Sequence, residues 1–350
     1  MTAVYEPNGA VHARAANSYD FVRFCAASCV FFSHHFDLAG FPEPKVPGLG
    51  WDFGELGVQV FFCLSGFLIC QSLYRSKDWA RFAAARVLRI YPNLLCVLVL
   101  TSAVTFFWYR NGIHLAEHIG YVTDNLLMFV KGVARRIPGV FEETTKHAVN
   151  TPLWTLPYEL WLYVLLALTF WLGGRRVAGV ILAVTLLFGI AWTAGDRIGD
   201  LKAGPFEVFE IVRLGSYFLA GSVIALAWSR LEQHALLWGA AGLLIVCIVR
   251  LALPFDTPLQ SLGLALAVIG LGSSHAMAWF AKGGDASYGM YIYAWPVQQF
   301  AVLLIGSFWL SMLAAFLVTT AIGYATWHGF ERRLMTYPSR IAARFVTRSA

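Results

Sequence analysis

The stretch Tyr19-Asp-Phe-Val-Arg23-Phe-Cys-Ala-Ala-Ser-Cys-Val-Phe-Phe-Ser-His34-His35-Phe36 is mostly apolar and of membrane length, yet it carries an arginine and a histidine eleven positions apart. A charge in hydrocarbon costs about 2.5 kcal/mol or more, so such a side chain turns toward a protein interior or a wet cavity and finds a partner there. Eleven residues make about three helical turns, which puts Arg23 and His34 on one face and about 16 Å apart along the axis. Arg23 therefore lies near one membrane surface and His34 near the other.

The rest of the chain has the same character. Of 350 residues, 58% are hydrophobic and 13% charged, and the mean hydropathy is +0.62. A soluble chain of this length needs far more charge to cover its surface. Apolar runs of spanning length fall near 19–37, 55–74, 88–109, 153–172, 177–194, 207–228, 235–253, 259–280, 287–306 and 308–330. The expected fold is an all-α polytopic membrane bundle of about ten transmembrane helices. Arg75, Lys77, Arg81, Arg86, Arg175, Arg176, Arg230, Lys282, Arg332, Arg333, Arg340, Arg344 and Arg348 gather on one side of this frame. By the excess of Lys and Arg in cytoplasmic loops, that side and both termini are cytoplasmic. The net charge of +6 then reflects orientation, and nucleic acid is not an expected partner.

Residues 1–18 read as a polar, weakly structured cytoplasmic segment, 19–330 as one integral membrane domain and 331–350 as a basic cytoplasmic tail. No appended soluble domain is expected. The first span holds Arg23 and lacks a small-x-small cleavage site, so it reads as retained. Cys25, Cys29, Cys63, Cys70, Cys96 and Cys247 lie in spans without C-x-x-C spacing and read as packing residues. The longest loop, 110–152, contains Asn125-Leu-Leu-Met-Phe-Val130, too short to span and expected to be interfacial or re-entrant on the outer side. His114-Leu-Ala-Glu117-His118 has the H-x-x-E-H form of a zinc peptidase motif. No third ligand is specified, and no metal is expected.

Four stretches, in order, form a pattern: Arg23-x10-His34; Gly57-Val-Gln-Val-Phe-Phe-Cys-Leu-Ser65-Gly66-Phe67; Arg86-Val-Leu-Arg89-Ile-Tyr-Pro92; and Trp154-Thr-Leu-Pro-Tyr-Glu159-Leu-Trp-Leu-Tyr163. With Ser287-Tyr-Gly-Met-Tyr291-Ile-Tyr-Ala-Trp-Pro296 and Phe330-Glu331-Arg332, they resemble the membrane-bound acyltransferase family 3 over nearly the whole chain. The resemblance implies transfer of an acyl group, often acetyl from acetyl-CoA, to a hydroxyl of a carbohydrate or related acceptor, with donor entering from the cytoplasm and acceptor outside. The chain departs from the pattern at Ala294, where many members have His, and after Glu331, where many members soon have Pro and this chain has Arg332-Arg333-Leu334.

Acyl transfer to a hydroxyl needs a base, a path for the thioester and donors for phosphates and the developing oxyanion. His34 is the expected base, since an ordinary imidazole alternates between neutral and charged forms near neutral pH. The structural alternative is a packed histidine bonded to a carbonyl. His35 points about 100° away and reads as a neighbour or surface residue. Arg23 suits a CoA phosphate or a carboxylate partner, or else snorkels to the interface. Arg86 and Arg89 can join it in a phosphate site, with a topological role as the alternative. Ser65-Gly66 lies mid-span where a slender pantetheine arm, or another backbone, can approach; Ser65 is not assigned as a nucleophile. Glu159 is expected at a depth like that of His34, where it orients His34 or binds acceptor hydroxyls, unless it pairs with Arg213. Glu210 and Arg213, at i,i+3, are expected to pair.

The sequence thus reads as a multi-pass inner-membrane O-acyltransferase. His34 and Glu159 are its catalytic candidates, and Arg23, Ser65, Gly66, Arg86 and Arg89 its donor-binding candidates. It has no permanently bound cofactor, acyl-CoA being a cosubstrate. Its expected partners are the acyl-CoA donor, a carbohydrate, glycolipid or glycosylated small-molecule acceptor and the lipid bilayer, and a homo-oligomer is allowed. The competing reading is a proton-coupled secondary transporter or exporter in which Arg23, His34 and Glu159 bind substrate.

Overall fold

Without water to take up backbone groups, apolar segments satisfy them internally as helices. In the computed structural model, which describes residues 3–5, 11–13, 17–75, 78–109, 114–253 and 257–337, each of the ten apolar runs contains a helix, although the one expected over 259–280 ends at Gly272, after 15 residues. These are α1 (Tyr19–Leu38), α2 (Phe53–Arg75), α3 (Trp79–Trp108), then, after an amphipathic α4 (Leu115–Leu126), α5 (Thr155–Gly173), α6 (Val177–Thr193), α7 (Val208–Leu231), α8 (Ala235–Ala252), α9 (Pro258–Gly272), α10 (Ser287–Leu304) and α11 (Phe308–Thr326). Five helical stretches are long and apolar enough to cross a membrane by length and composition: Phe53–Arg75, Trp79–Trp108, Pro152–Thr193, Val208–Ala252 and Phe308–Leu334. Outward faces carry large apolar side chains such as Trp171, Leu172, Ile190, Leu237 and Trp309, an exposure that suits lipid rather than water.

Strand is confined, among the described residues, to short antiparallel pairs, Ala3–Tyr5 with Val11–Ala13 and Lys202–Ala203 with Phe206–Glu207. The first of these lies within the segment expected to be weakly structured. Of the charges used to orient the chain, Lys77, Arg340, Arg344 and Arg348 fall outside the described residues.

The centre of the bundle is α2, packed against α1, α5, α7 and α9. Its contact with α7 depends on absent side chains. A Cβ on Gly66 would lie 1.8 Å from the Phe218 carbonyl oxygen, and one on Gly221 2.1 Å from that of Cys63. Ser222 Oγ, on α7, donates to the Gly66 carbonyl at 3.1 Å. Small residues thus let two backbones meet. Gly66→Val should destabilise the protein at or beyond the upper end of the about 1–3 kcal/mol that overpacking costs, read as a fall in thermal midpoint in detergent; an unchanged midpoint would mean that α2 and α7 are not locked here.

Helix α1 runs antiparallel to α2, and the contacts give their register. Gly54 faces Ser33, Gly57 faces Ala26 and Val30, and the Tyr19 ring meets Phe67 at 5.8 Å. Ser65 is therefore level with Phe21 and Val22, next to Arg23 and roughly 18 Å below His34 at 1.5 Å per residue.

The long loop is not a surface excursion. After α4 and a turn of helix at Met128–Lys131, it folds inward with Ile137, Val140, Phe141, Val149 and Leu153 all buried. Pro296 in α10 has no N–H to give the Ile292 carbonyl, and Asn150 Nδ2 of the loop takes that carbonyl at 2.8 Å. Trp295 Nε1 and Gln299 Nε2 both donate to the Ala148 carbonyl, at 2.8 and 2.9 Å. Because the loop descends this far, α5 starts deep in the bundle.

Candidate active site

Two helices, α1 and α3, deliver three arginines to one cavity, and the buried acids around them decide which are free. The cavity holds about 790 Å³ of empty space including its open mouth, and it is lined by Arg23, Val58, Phe61, Phe62, Ser65, Leu68, Ile69, Arg86, Arg89, Ile90, Thr155, Leu156, Glu159, Tyr163, Ser287, Tyr288 and Tyr291. Arg23 pairs with Asp285 at 3.4 Å and with Asp20, one turn back, at 3.6 Å. Arg89 pairs with Asp285 at 2.7 Å and Glu331 at 3.3 Å. Asn93 Nδ2 donates to Glu331 at 2.7 Å. Burial by itself would push the Asp285 carboxyl up, but Arg89 and Arg23, with Ser287 donating to it, hold it well below the usual carboxylate range.

Arg86 differs. No carboxylate stands within ion-pair distance of it among the described residues, its Nε is buried without a partner, and its guanidinium lies 5.9 Å from the ring centres of both Phe82 and Tyr163. Beside it, Glu159 accepts from Ser65 Oγ at 2.9 Å and from the Tyr163 hydroxyl. Arg213 is not its partner, pairing instead with Glu55 at 2.6 Å and with Glu210 at 2.8 Å. The second of these is the expected i,i+3 pair.

His34 stands apart from this cavity. Its ring meets Trp295 edge-on at 5.2 Å, and its Nδ1 is buried without a hydrogen-bond partner. The nearby acid Asp37 is engaged by Lys146 at 2.9 Å. Tyr291 lines the cavity: its hydroxyl donates to the Pro152 carbonyl at 3.0 Å and shares a 2.7 Å bond with Thr155, while its ring packs edge-on against Phe61 at 5.7 Å. The expectation that Glu159 lies at the depth of His34 is overturned, since Glu159 is bonded to Ser65 at the level of Arg23.

Arg23, Ser65, Arg86, Arg89 and Glu159 are thus together, His34 is at the other end of α1, and Gly66 faces α7. His35 is neither a surface residue nor near the cavity: it is fully buried, with Nε2 3.1 Å from Ser311 Oγ. His118 is turned to α3, its Nδ1 3.0 Å from Ser102 Oγ, while His114 caps the start of α4 and is exposed. Two buried members were missed by sequence reasoning. Asp285 lies outside every apolar run, and only its place two residues before Ser287 could have singled it out. Tyr163 stood in a quoted motif, one turn after Glu159, without a role.

A family model described as an acyltransferase domain, of acyltransferase family 3, matches residues 17–328. The chain belongs to this family. As an acyltransferase it is similar along its length to three curated proteins. It is 27% identical to an O-acetyl transferase of Shigella phage Sf6 over 93% of this chain and 97% of that one. It is 28% identical to nodulation protein 10 of Rhizobium leguminosarum bv. viciae over 94% and 95%, and 26% identical to the exopolysaccharide production protein ExoZ of Rhizobium meliloti (strain 1021) over 84% and 94%. No solved structure matches the acyltransferase. In many members a histidine occupies the position of Ala294, which in this acyltransferase is buried against Phe31 and Ala315.

Proposed function

We propose that this acyltransferase moves an acyl group, in the first instance acetyl, from acyl-CoA bound at the Arg23 end to a hydroxyl of a carbohydrate or glycosylated acceptor at the His34 end. The observation that carries this reading is a cavity holding one cation without a carboxylate partner, Arg86, at the opposite end of the bundle from an imidazole with an unpartnered nitrogen. Arg86 suits a CoA phosphate, since a guanidinium offers several donors to one anion. The pantetheine arm runs along α2 toward Phe61 and Tyr291, which move aside to let the thioester through. His34 takes the proton of the acceptor hydroxyl, the oxygen attacks the thioester carbonyl, and the departing CoA sulfur recovers the proton.

The relatives' names point the same way, one being an O-acetyl transferase and another an exopolysaccharide production protein. Membership of an acyltransferase family favours this over the transporter reading. With the arginine-rich loops inside, the ten helices cross the inner membrane, both termini are cytoplasmic, donor comes from the cytoplasm and acceptor from the other side. The test is turnover by the purified chain in detergent: labelled acetyl-CoA with envelope carbohydrate should yield label on the carbohydrate and free CoA in equal amounts. Folded protein that neither binds nor consumes acyl-CoA would overturn the proposal.

A further inference from the structure

Glu159 is expected from the sequence to orient His34 or to bind acceptor hydroxyls beside it, and the register of α1 and α2 separates Glu159 from His34 by roughly 18 Å. Its surroundings give it different work. One carboxylate oxygen, Oε1, accepts both the Ser65 and Tyr163 hydroxyls, while Oε2 has no hydrogen-bond partner among the described residues. The same Tyr163 turns its ring to the Arg86 guanidinium at 5.9 Å, and the Arg86 Nε is also unpartnered. Tyr163 therefore touches both a cation and a carboxylate that line one cavity, and these two make no ion pair with each other among the described residues. Opposite charges left apart in a low-dielectric space, each with unused hydrogen-bonding capacity, are complementary to a ligand that presents an anion and, a short way along, an N–H or O–H.

We propose that Glu159 is a donor-binding residue, whose Oε2 accepts a hydrogen bond from the carrier arm next to the anion held by Arg86, and that it takes no part in proton transfer at His34. The inference rests on the reading of the cavity as the acyl-CoA site. The chemistry fits that carrier: beyond its phosphates the arm has a hydroxyl and then amide N–H groups, all donors that a carboxylate oxygen can take. Arg23 and Arg89 do not compete for the anion on equal terms, because Asp285, Asp20 and Glu331 already engage them.

The test separates the two halves of the carrier. Binding of CoA, of pyrophosphate and of pantetheine to the purified full chain in detergent is measured for wild type, Glu159→Ala, Glu159→Gln and Arg86→Gln, with thermal midpoints to confirm folding. Glu159→Ala should weaken CoA and pantetheine about tenfold or more, as loss of a bond to a charged group does, and leave pyrophosphate unchanged or tighter. Glu159→Gln keeps the side chain's shape and one acceptor oxygen, so it should lose less. Arg86→Gln should show the reverse pattern, losing pyrophosphate and CoA but not pantetheine. In turnover, Glu159→Ala should lower kcat/KM for acyl-CoA in step with its loss of CoA affinity, the larger change falling in KM. A fall in kcat of a hundredfold with unchanged CoA affinity would overturn the proposal, as would equal loss of pyrophosphate and pantetheine. If wild type binds no CoA at all, the donor reading itself fails, and this inference with it.

Discussion

His34→Ala should remove acyl transfer by two or more orders of magnitude while CoA binding and the thermal midpoint stay near wild type. The size follows from loss of a general base, which is typically worth about 10²–10⁴ in rate. The selectivity follows from placement: His34 is outside the lining of the arginine-lined cavity, and among the described residues no hydrogen bond or ion pair ties it to the bundle. Its neighbour supplies the contrast. His35 is buried, bonded to Ser311 and stacked near Phe31, so His35→Ala should lower stability and leave the rate per folded molecule nearly intact. Steady-state rates corrected for folded protein distinguish the two. Wild-type turnover in folded His34→Ala would remove His34 from the chemistry.

Asp285→Ala should be the most damaging single change to the arginine-lined end of the bundle. The Asp285 side chain is 6% exposed and receives both Arg89 and Arg23, and it also accepts from the Ser287 backbone N–H at 3.1 Å, at the start of α10. Removing one member of a buried ion pair leaves an uncompensated charge and costs about 3–5 kcal/mol. Glu331 and Asp20 remain as partial partners, which places the expected loss near about 3 kcal/mol. Asp285→Asn keeps the contact with Ser287 and should lose less. Thermal or denaturant unfolding in detergent measures both. A midpoint within experimental error of wild type for Asp285→Ala would show that the arginines relax to other partners without cost.

The helical frame was legible because spanning length and apolarity admit few alternatives, and the ten expected runs are ten helices. The pairing of Arg23 with His34 across α1 was legible too, since one helix fixes both. What depends on a neighbouring element was not. Counting inward from the start of its span placed Glu159 at the depth of His34. The inward fold of residues 132–154 starts α5 deep, so the count began from the wrong level. Gly66 invited two readings because a missing side chain admits a ligand or a backbone equally well, and only the position of Phe218 on α7 decides between them. Arg213 could reach several acids on paper; Glu55, over 150 residues away in sequence, is one it holds. Asp285 sits in a short connection without a periodic pattern, so nothing local marked it as the link between α1 and α3.

Transfer between opposite ends of the bundle is the central claim, and sidedness in vesicles addresses it most directly. The purified chain is reconstituted in one orientation, established by protease access to its tail, with envelope carbohydrate trapped in the lumen, the side facing away from the tail. Labelled acetyl-CoA is then added outside. The account predicts acetylation of the trapped carbohydrate, abolished by His34→Ala, with CoA released on the side of addition. Acetylation only when carbohydrate and acetyl-CoA share a side would contradict it.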